Sequence, residues 1–239
     1  MKRLFSLVLA LAVALFSFVS VFAHSVRSSS GDASVYVIHG INGRDLGLPS
    51  SSLPVDVSVN GACALTGFTF GQIVGPLALP AGTYAIAISL ANASQPCGNA
   101  PVIAADVPFA AGENATVIAH LSAASAPTAS KFVNDLSNPG IAKGRVSVRH
   151  TAAAPAVDVK VSRGARQIAT IAGLTNGNQA DAVLPFGTYN ASLFVSGTDT
   201  RALGPAGFLS LPKRLTVVYA VGSAANGTLS LIRHTISTP

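Results

Sequence analysis

The stretch VRHTAAAPAVDVKV, residues 148–161, places two strand-like runs on either side of an Ala/Pro loop. In VDVKV, residues 157–161, apolar and polar side chains alternate, which is the period of a β-strand with one buried face. The earlier stretch VYVIHGINGRDLGLPSSSLPVDVSV, residues 35–59, contains the same two runs around a longer loop. In both places a histidine ends the first run and an aspartate stands early in the second. The pattern predicts a repeated piece of β-structure.

Comparison of the chain with itself extends this similarity to further segments that occur in the same order. The matching pairs are ASVYVIH (33–39) with GRVSVRH (144–150), LPVDVSVNG (53–61) with PAVDVKVSRG (155–164), LALPAGTYAIAI (77–88) with AVLPFGTYNASL (182–193), ATVIAHL (115–121) with LTVVYAV (215–221), and TASKFVN (128–134) with TLSLIRH (228–234). Turn-forming residues recur about every eight to twelve positions, a spacing typical of sandwiches and barrels. We therefore predict an all-β protein of two tandem immunoglobulin-like antiparallel β-sandwich domains after an N-terminal signal peptide.

The predicted boundaries follow from these repeats and from the N-terminal composition. They are a signal peptide at 1–23, a flexible leader at 24–32, a first β-sandwich repeat at 33–136, a linker at 137–143 and a second β-sandwich repeat at 144–239. Lys2 and Arg3, the apolar run after them and the small residues up to Ala23 indicate the signal peptide. An uncleaved membrane anchor is the alternative. Both predict a secreted or cell-surface protein, and membrane contact is expected only through this segment if it is not cleaved.

The composition argues for a large core and against nucleic-acid binding. Of 239 residues, 49% are hydrophobic and only 10% are charged. Such a chain must bury much of its surface to stay soluble. Loss of Lys2 and Arg3 with the signal peptide changes the formal net charge from +6 to +4, that is, 13 basic minus 9 acidic residues. The remaining basic residues are scattered, so we expect no nucleic-acid partner.

Cys63 and Cys97 are the only cysteines. In an exported chain an even pair usually forms a disulfide, which at this loop length would contribute roughly 3–4 kcal/mol in the chain-entropy model. Their wide separation and the lack of a nearby histidine argue against a redox or metal-binding role. We therefore predict a disulfide between them.

The segments LPAGTY and LPFGTY are interpreted as turns that lead into strands. Each contains a proline that presets φ at the second turn position, a glycine at the fourth position, and a tyrosine. The tyrosine brings apolar area to the core and a hydroxyl that can hold a neighbouring loop. The residues of this turn and core motif are Pro80, Gly82 and Tyr84 in the first copy and Pro185, Gly187 and Tyr189 in the second.

The order of a strand ending in His, an Ala/Pro loop, a VDV strand, LPxGTY and a final TV strand resembles the bacterial family known as domain of unknown function 4397. VRHTAAAPAVDVKV is the closest piece, and the first copy departs from it by the inserted INGRDLGLPSSS. The similarity covers both copies. The resemblance implies tandem copies of an exported or cell-surface β-rich module, and it brings no established activity.

The repeated pairs His39 with Asp56 and His150 with Asp158 are the residues most able to carry chemistry. We interpret them as structural. Either a hydrogen bond between imidazole and carboxylate, or a carboxylate that accepts loop amides, would fix the strand crossover. A catalytic base with its orienting acid is the alternative, but no repeated nucleophile accompanies the pairs. We therefore expect no catalytic residues.

No metal site and no cofactor are predicted, because five histidines and nine carboxylates contain no HExxH motif and no paired His spacing. One alternative is copper. Cleavage after Ala23 would make His24 the first residue, and its amine and imidazole resemble half of the copper brace of lytic polysaccharide monooxygenases, which His39 or His120 would have to complete. The absence of Trp and the leader-like HSVRSSSGD argue against it.

The sequence thus predicts an exported, non-enzymatic tandem β-sandwich protein. We expect it to act as a binding, adhesion or cell-envelope scaffold module for an unidentified extracellular or envelope ligand. The loops at 40–53 and 90–103 are the expected contact regions, because rigid sandwiches commonly place recognition on loops. The alternative is a secreted enzyme, either a hydrolase or a copper-dependent oxidase that uses His24.

Overall fold

A computed structural model describes residues 31–238 of the chain. The predicted signal peptide and His24 lie outside the described residues. Within them the chain forms β-strands and one short 3-10 turn at Gly43–Leu46. No helix in this part of the chain is long and apolar enough to cross a membrane. The predicted all-β fold in two sandwich-like halves is confirmed.

The first half consists of two four-stranded sheets with the orders β4-β1-β7-β8 and β3-β2-β5-β6. Its strands are β1 (Ala33–His39), β2 (Val55–Val59), β3 (Ala62–Phe68), β4 (Ile73–Leu79), β5 (Gly82–Leu90), β6 (Pro101–Phe109), β7 (Asn114–Leu121) and β8 (Pro127–Val133).

The second half has the same arrangement, strand for strand, with the orders β12-β9-β15-β16 and β11-β10-β13-β14. Its strands are β9 (Lys143–His150), β10 (Val157–Arg163), β11 (Arg166–Leu174), β12 (Asn178–Pro185), β13 (Gly187–Val195), β14 (Arg201–Ser210), β15 (Arg214–Val221) and β16 (Ser230–Ser237).

Paired strands run antiparallel except at one place in each half, where β1 pairs with β7 and β9 pairs with β15 in parallel. The sheet that contains this parallel pair is the inner sheet of its half, since β7 and β15 are covered on both faces. Every residue from 115 to 121 and from 215 to 221 is buried. This double burial explains why these two strands read as nearly continuous apolar runs.

The registers correct the residue alignment of the last two segment pairs. The parallel pairs place Ala119 and Ala220 at equivalent positions, whereas the sequence comparison put Ala119 opposite Tyr219. In the final strands Lys131 is equivalent to Arg233, whereas the sequence comparison put it opposite Leu231, two residues away. A continuous apolar run has no period that fixes its register, and an alternating run looks similar after a shift of two. The segments therefore correspond, but their residues are displaced.

Each half has an apolar core between its own two sheets. On β1, Val35 and Val37 face this core, and on β9 the matching Val146 and Val148 do the same. The intervening side chains of β1 and β9 point the other way, toward the other half. The alternation of strand side chains thus separates core positions from positions between the halves.

The inner sheets of the two halves pack face to face. The apolar residues buried there are Ile38, Ile118 and Phe132 from the first half and Leu215, Val217, Tyr219, Val221, Ile232 and Ile236 from the second. Arg149 crosses this contact and has no exposed surface. Its guanidinium donates to Asn134 Oδ1 at 2.7 Å and to Tyr219 Oη at 2.6 Å, and it stacks on Phe132 at 4.7 Å. The four sheets therefore form successive layers joined by one apolar contact.

Candidate functional site

The repeated histidines close the loop between the first two strands of each half. His39 Nε2 lies 2.9 Å from the carbonyl oxygen of Leu53, and His39 Nδ1 accepts a hydrogen bond from the Ile41 amide at 3.2 Å. His150 makes the matching contacts with the Pro155 carbonyl at 2.9 Å and the Ala152 amide at 3.4 Å. Leu53 and Pro155 both stand two residues before the VDV strand. The same clamp therefore holds loops of different length.

These contacts define the protonation state of the imidazole. A ring nitrogen that accepts from an amide carries no proton, so Nε2 carries it and donates to the carbonyl. Burial lowers the pKa of His39 to about 4, and it also lowers the pKa of His150. Both rings are therefore neutral at physiological pH, as the clamp requires.

The aspartates do not pair with these histidines. Asp56 Oδ1 accepts the Gly67 amide at 2.9 Å, and its Oδ2 accepts the amides of Asn92 at 3.1 Å and Cys97 at 3.0 Å. Of the two structural arrangements considered for the His/Asp pairs, the geometry corresponds to a carboxylate that accepts loop amides. Asp56 thus joins the bulged β3 to the loop after β5.

Asp158 occupies the same place in the second half. It accepts the amide of Gly173 at 2.8 Å, the hydroxyl of Ser196 at 2.7 Å and the amide of Gly197 at 3.1 Å. Gly67 and Gly173 both have positive φ, 60° and 67°, as expected for the glycine of a β-bulge. The hydrogen bond from the Cys97 amide is the main cause that lowers the pKa of Asp56. The hydrogen bond from the Gly173 amide is the main cause that lowers the pKa of Asp158. Both groups therefore stay ionised as hydrogen-bond acceptors.

The disulfide strengthens the first of these two junctions. Cys63 on β3 is bonded to Cys97, with the Cα atoms 5.7 Å apart, so the predicted disulfide is confirmed. Because Cys97 also donates its amide to Asp56, the covalent bond and the carboxylate hold the same loop. The second half has Ser196 and Gly197 at this place and uses hydrogen bonds alone.

The tyrosines of the LPxGTY segments hold the preceding turns. Tyr84 Oη donates to the Pro80 carbonyl at 2.8 Å, and Tyr189 Oη donates to the Pro185 carbonyl at 2.9 Å. Gly82 and Gly187 begin β5 and β13 directly after these turns. This is the arrangement of a tyrosine that ties a strand corner back to backbone four residues earlier.

The tyrosines differ in burial. Tyr189 is only 2% exposed and stacks on Phe208 with ring centroids 5.8 Å apart, whereas Tyr84 is half-buried. The Tyr84 ring therefore leaves part of its face beside open space in the first half.

The other two histidines among residues 31–238, His120 and His234, are also engaged or enclosed. His120 contacts the Leu121 carbonyl through Nδ1 at 2.9 Å and the Ser130 hydroxyl through Nε2 at 2.8 Å. His234 lies against Tyr36 with ring centroids 4.4 Å apart, and burial, followed by the charge of Arg149, lowers its pKa to about 4. Among residues 31–238 no group of three or more His, Cys, Asp or Glu side chains is arranged to hold a metal ion.

The copper alternative needs His24, which is outside the described residues, together with His39 or His120. Both ring nitrogens of His39 and of His120 are engaged as described above. In this arrangement neither ring presents a nitrogen to a metal ion. A ligating role would require the clamp or the Ser130 contact to open.

The two loops singled out from the sequence meet at one end of the first half. Leu46, Leu90 and Val102 are 39%, 48% and 55% exposed and surround a small apolar cavity of about 40 Å³. We call these three side chains the loop patch. Exposed apolar groups that are contiguous in this way mark interaction surfaces more often than isolated ones do.

Hydrogen bonds hold the loop at 40–53 in one conformation. The Asn42 side chain accepts the Arg44 amide at 3.0 Å at the start of the 3-10 turn. Asp45 Oδ1 accepts from Asn226 Nδ2 at 3.1 Å and from Thr228 Oγ1 at 2.6 Å, so the loop is also bound to the second half. A Cβ on Gly43 would lie 2.6 Å from the Ser52 carbonyl oxygen, which leaves room only for glycine.

Two features escaped sequence reasoning, namely the buried Arg149 and a larger cavity inside the first half. The signal for Arg149 was available: it replaces Ile38 at the equivalent position of an apolar strand. The cavity carries no such signal, because its lining reads as ordinary core.

Comparison with known proteins gives a limited set of matches. No curated protein matches the sequence. One similar solved structure is described as the Bacillus anthracis TIE protein, with 12% identity, a TM-score of 0.24, and coverage of 79% of this chain and 33% of that chain. The chain therefore spans about a third of the length of that protein.

A family model matches residues 33–160, which is more than half of the 239 residues. The match is single, and it covers the whole first half, β9 and the beginning of β10. The chain therefore belongs to the family described as Domain of unknown function (DUF4397).

Proposed function

We propose that this protein is an exported, non-enzymatic binding or adhesion module, and that the loop patch recognises an apolar surface of an extracellular or cell-envelope partner. The observation that carries this proposal is the loop patch itself: three exposed apolar side chains around a small apolar cavity, of which Leu46 lies on the hydrogen-bonded 3-10 turn while Leu90 and Val102 lie at the adjoining ends of β5 and β6. Rigid presentation lowers the conformational entropy lost on binding.

The hydrogen bonds of the repeated histidines and aspartates support the non-enzymatic part of the proposal. All four side chains are hydrogen-bonded to backbone or hydroxyl groups of neighbouring segments, namely those of His39, Asp56, His150 and Asp158. A base and its orienting acid would have to contact each other and a nucleophile. The arrangement instead supports a structural role in each half.

We further propose that the two halves are two copies of the family domain. The same strand order, the same histidine clamp and the same aspartate junction occur in both. In this proposal the second copy braces the loop patch of the first through Asn226 and Thr228.

Retention of purified protein on envelope preparations of the host tests the binding role. The double variant Leu90→Ser/Val102→Ser should lose at least tenfold in retention. The matched control is Val183→Ser/Leu209→Ser, which removes two side chains that are each 42% exposed in the second half and should bind normally. Equal retention of both variants, with unchanged circular dichroism, would contradict the proposal.

Protein recovered from the culture medium tests both the export and the copper alternative. N-terminal sequencing of protein from the culture medium should begin at His24. Metal analysis of the same sample should give less than stoichiometric copper. Stoichiometric copper that is lost on removal of His24 would favour the oxidase alternative instead.

A further inference from the structure

The first half contains a cavity of about 160 Å³ between its two sheets. The lining runs along β2 from Val55 to Val59 and along β5 from Tyr84 to Ile88. At about 3.3 Å per residue, the β2 part of this lining extends over about 13 Å. The space is therefore long and narrow, a shape that fits an extended chain better than a ring system.

The cavity offers no free polar group to a ligand. Sixteen of its eighteen lining residues are hydrophobic, and the other two are His39 and Tyr84. Both ring nitrogens of His39 and the hydroxyl of Tyr84 are already hydrogen-bonded to backbone. A cavity of this size with an apolar lining gives water no hydrogen-bond partner and is suited to an apolar ligand.

The same positions are closed in the second half, which shows that the fold does not require the cavity. Val161, Leu184, Tyr189 and Ala191 are between 1% and 6% exposed. Their counterparts in the first half are Val59, Leu79, Tyr84 and Ile86, and all four are half-buried. The first sandwich is thus open along part of its length, although its side chains are of similar or larger size.

A specific side chain closes the second half at this end. Arg163 stacks over the ring of Tyr189 at 5.6 Å and lies close above Gly187. The first half has the tight turn Asn60–Gly61 at this place, so no side chain covers Tyr84 in the same way. Ala64 and Leu65 on the edge strand β3 and Leu77 on the edge strand β4 complete the open side.

We propose that this cavity is a binding site for a single alkyl chain, which enters between the edge strands β3 and β4 and leaves its polar headgroup outside. The ligand class is a free fatty acid or one acyl chain of a lipid. This cavity and the small cavity of the loop patch share Val55 and Ile88 in their linings, but its open side lies toward Val59 and Tyr84, at the end of β2 away from the loop at 40–53.

Methyl NMR of the purified protein, titrated with decanoate, tests the proposal. Saturable shifts are expected for the methyl groups of Val57, Ile86 and Val117, which line this cavity and not the small cavity of the loop patch. The methyl groups of Val159 and Leu193, in the core of the second half, should not move. Equal shifts in both halves, or no shift in the first half, would overturn the proposal.

A cavity-filling variant adds a second test. Val59→Phe should weaken decanoate binding at least tenfold, while the control Val183→Phe, at an exposed position of the second half, should leave the Kd unchanged. Undiminished binding by Val59→Phe would contradict the site. If that variant does not fold, Leu65→Phe and displacement of xenon from the wild-type cavity by decanoate provide the same comparison.

A parallel titration with short-chain phosphatidylcholine, below its micellar concentration, distinguishes a lipid acyl chain from a free fatty acid as the ligand. Shifts of the same methyl groups would assign the site to a lipid acyl chain. Shifts with decanoate alone would assign it to a free fatty acid.

Discussion

At the scale of single residues, His39 and Asp56 act on different segments of backbone although the same two residue types recur together. The sequence predicts a structural role for both residues, since no nucleophile accompanies them. Their hydrogen-bond partners could not be predicted, because main-chain amides of Gly67, Asn92 and Cys97 converge on Asp56 only after three separate segments have folded. Side-chain identity indicates hydrogen-bonding capacity, and loop geometry determines where it is used.

Asp56→Asn tests the aspartate junction. The variant replaces one acceptor oxygen with an NH₂ group that faces amide donors, and Asp56 is only 1% exposed, so water cannot substitute. We expect a loss of about 2–3 kcal/mol in the free energy of unfolding, measured by urea denaturation. Asp158→Asn is the matched control and should lose less, because Asp158 is half-buried and solvent reaches it. An equal loss in both variants would contradict this account.

The histidine clamp predicts a dependence of stability on pH. The pKa of His39 is about 4 in the folded state and near 6.5 when unfolded. Above pH 6.5 both states are neutral and the contribution is complete. Between pH 6.5 and 4 the unfolded state binds a proton that the folded state does not, so stability falls by about 3 kcal/mol as the pH falls.

Urea denaturation at several pH values checks this slope. His39→Asn should be less stable than the wild type at pH 7.5 but should show a shallower decline toward pH 4. His120, His150 and His234 have lowered pKa values as well and continue to contribute to the slope in that variant. An unchanged slope in His39→Asn would mean that His39 does not hold the loop in its neutral form.

At the scale of elements, the strands were predictable because alternation, turn residues and the internal repeat agree with one another. What differs between the two halves is as informative as what matches. On β1 and β9 the core positions are valine in both, while Tyr36 and Ile38 are replaced by Ser147 and Arg149. Each half faces the other across the inner sheets, so these side chains must complement a different surface in each half. A sequence repeat therefore predicts the cores well and the contact between them poorly.

The disulfide belongs to this scale because it joins β3 to the loop before β6. Replacing both cysteines with serine should lower the free energy of unfolding by about 4 kcal/mol in the chain-entropy model, given the sequence separation of 34 residues. Chemical denaturation with and without dithiothreitol measures the loss, and the double serine variant should not respond to the reductant.

Hydrogen exchange locates the effect of the missing bond. The amides of Asn92 and Cys97, which donate to Asp56, should exchange faster in the double serine variant. The amide of Gly197, which donates to Asp158 in the second half, is the internal control and should be unaffected. Unchanged exchange at Asn92 would show that the carboxylate alone holds this loop.

At the scale of the whole molecule, the two halves share one buried contact instead of being joined by a linker alone. Apolar side chains from both inner sheets surround Arg149, and the loop at 40–53 is bound to Asn226 and Thr228 of the other half. Burial of this kind links the unfolding of one half to that of the other. We therefore expect the wild type to unfold in a single transition in scanning calorimetry.

Arg149→Lys tests this coupling while it keeps the charge. The guanidinium of Arg149 bonds Gln179 and Tyr219 on its own half and Asn134 on the other, and a lysine ammonium cannot span these acceptors. The buried charge would then lack partners, so we expect a loss of about 3 kcal/mol and separation of the heat-absorption peak into two. Arg166→Lys, at an exposed position on β11, is the control and should change stability by less than about 0.5 kcal/mol. If Arg149→Lys instead gives a single heat-absorption peak with the same midpoint temperature as Arg166→Lys, the apolar contact alone couples the two halves.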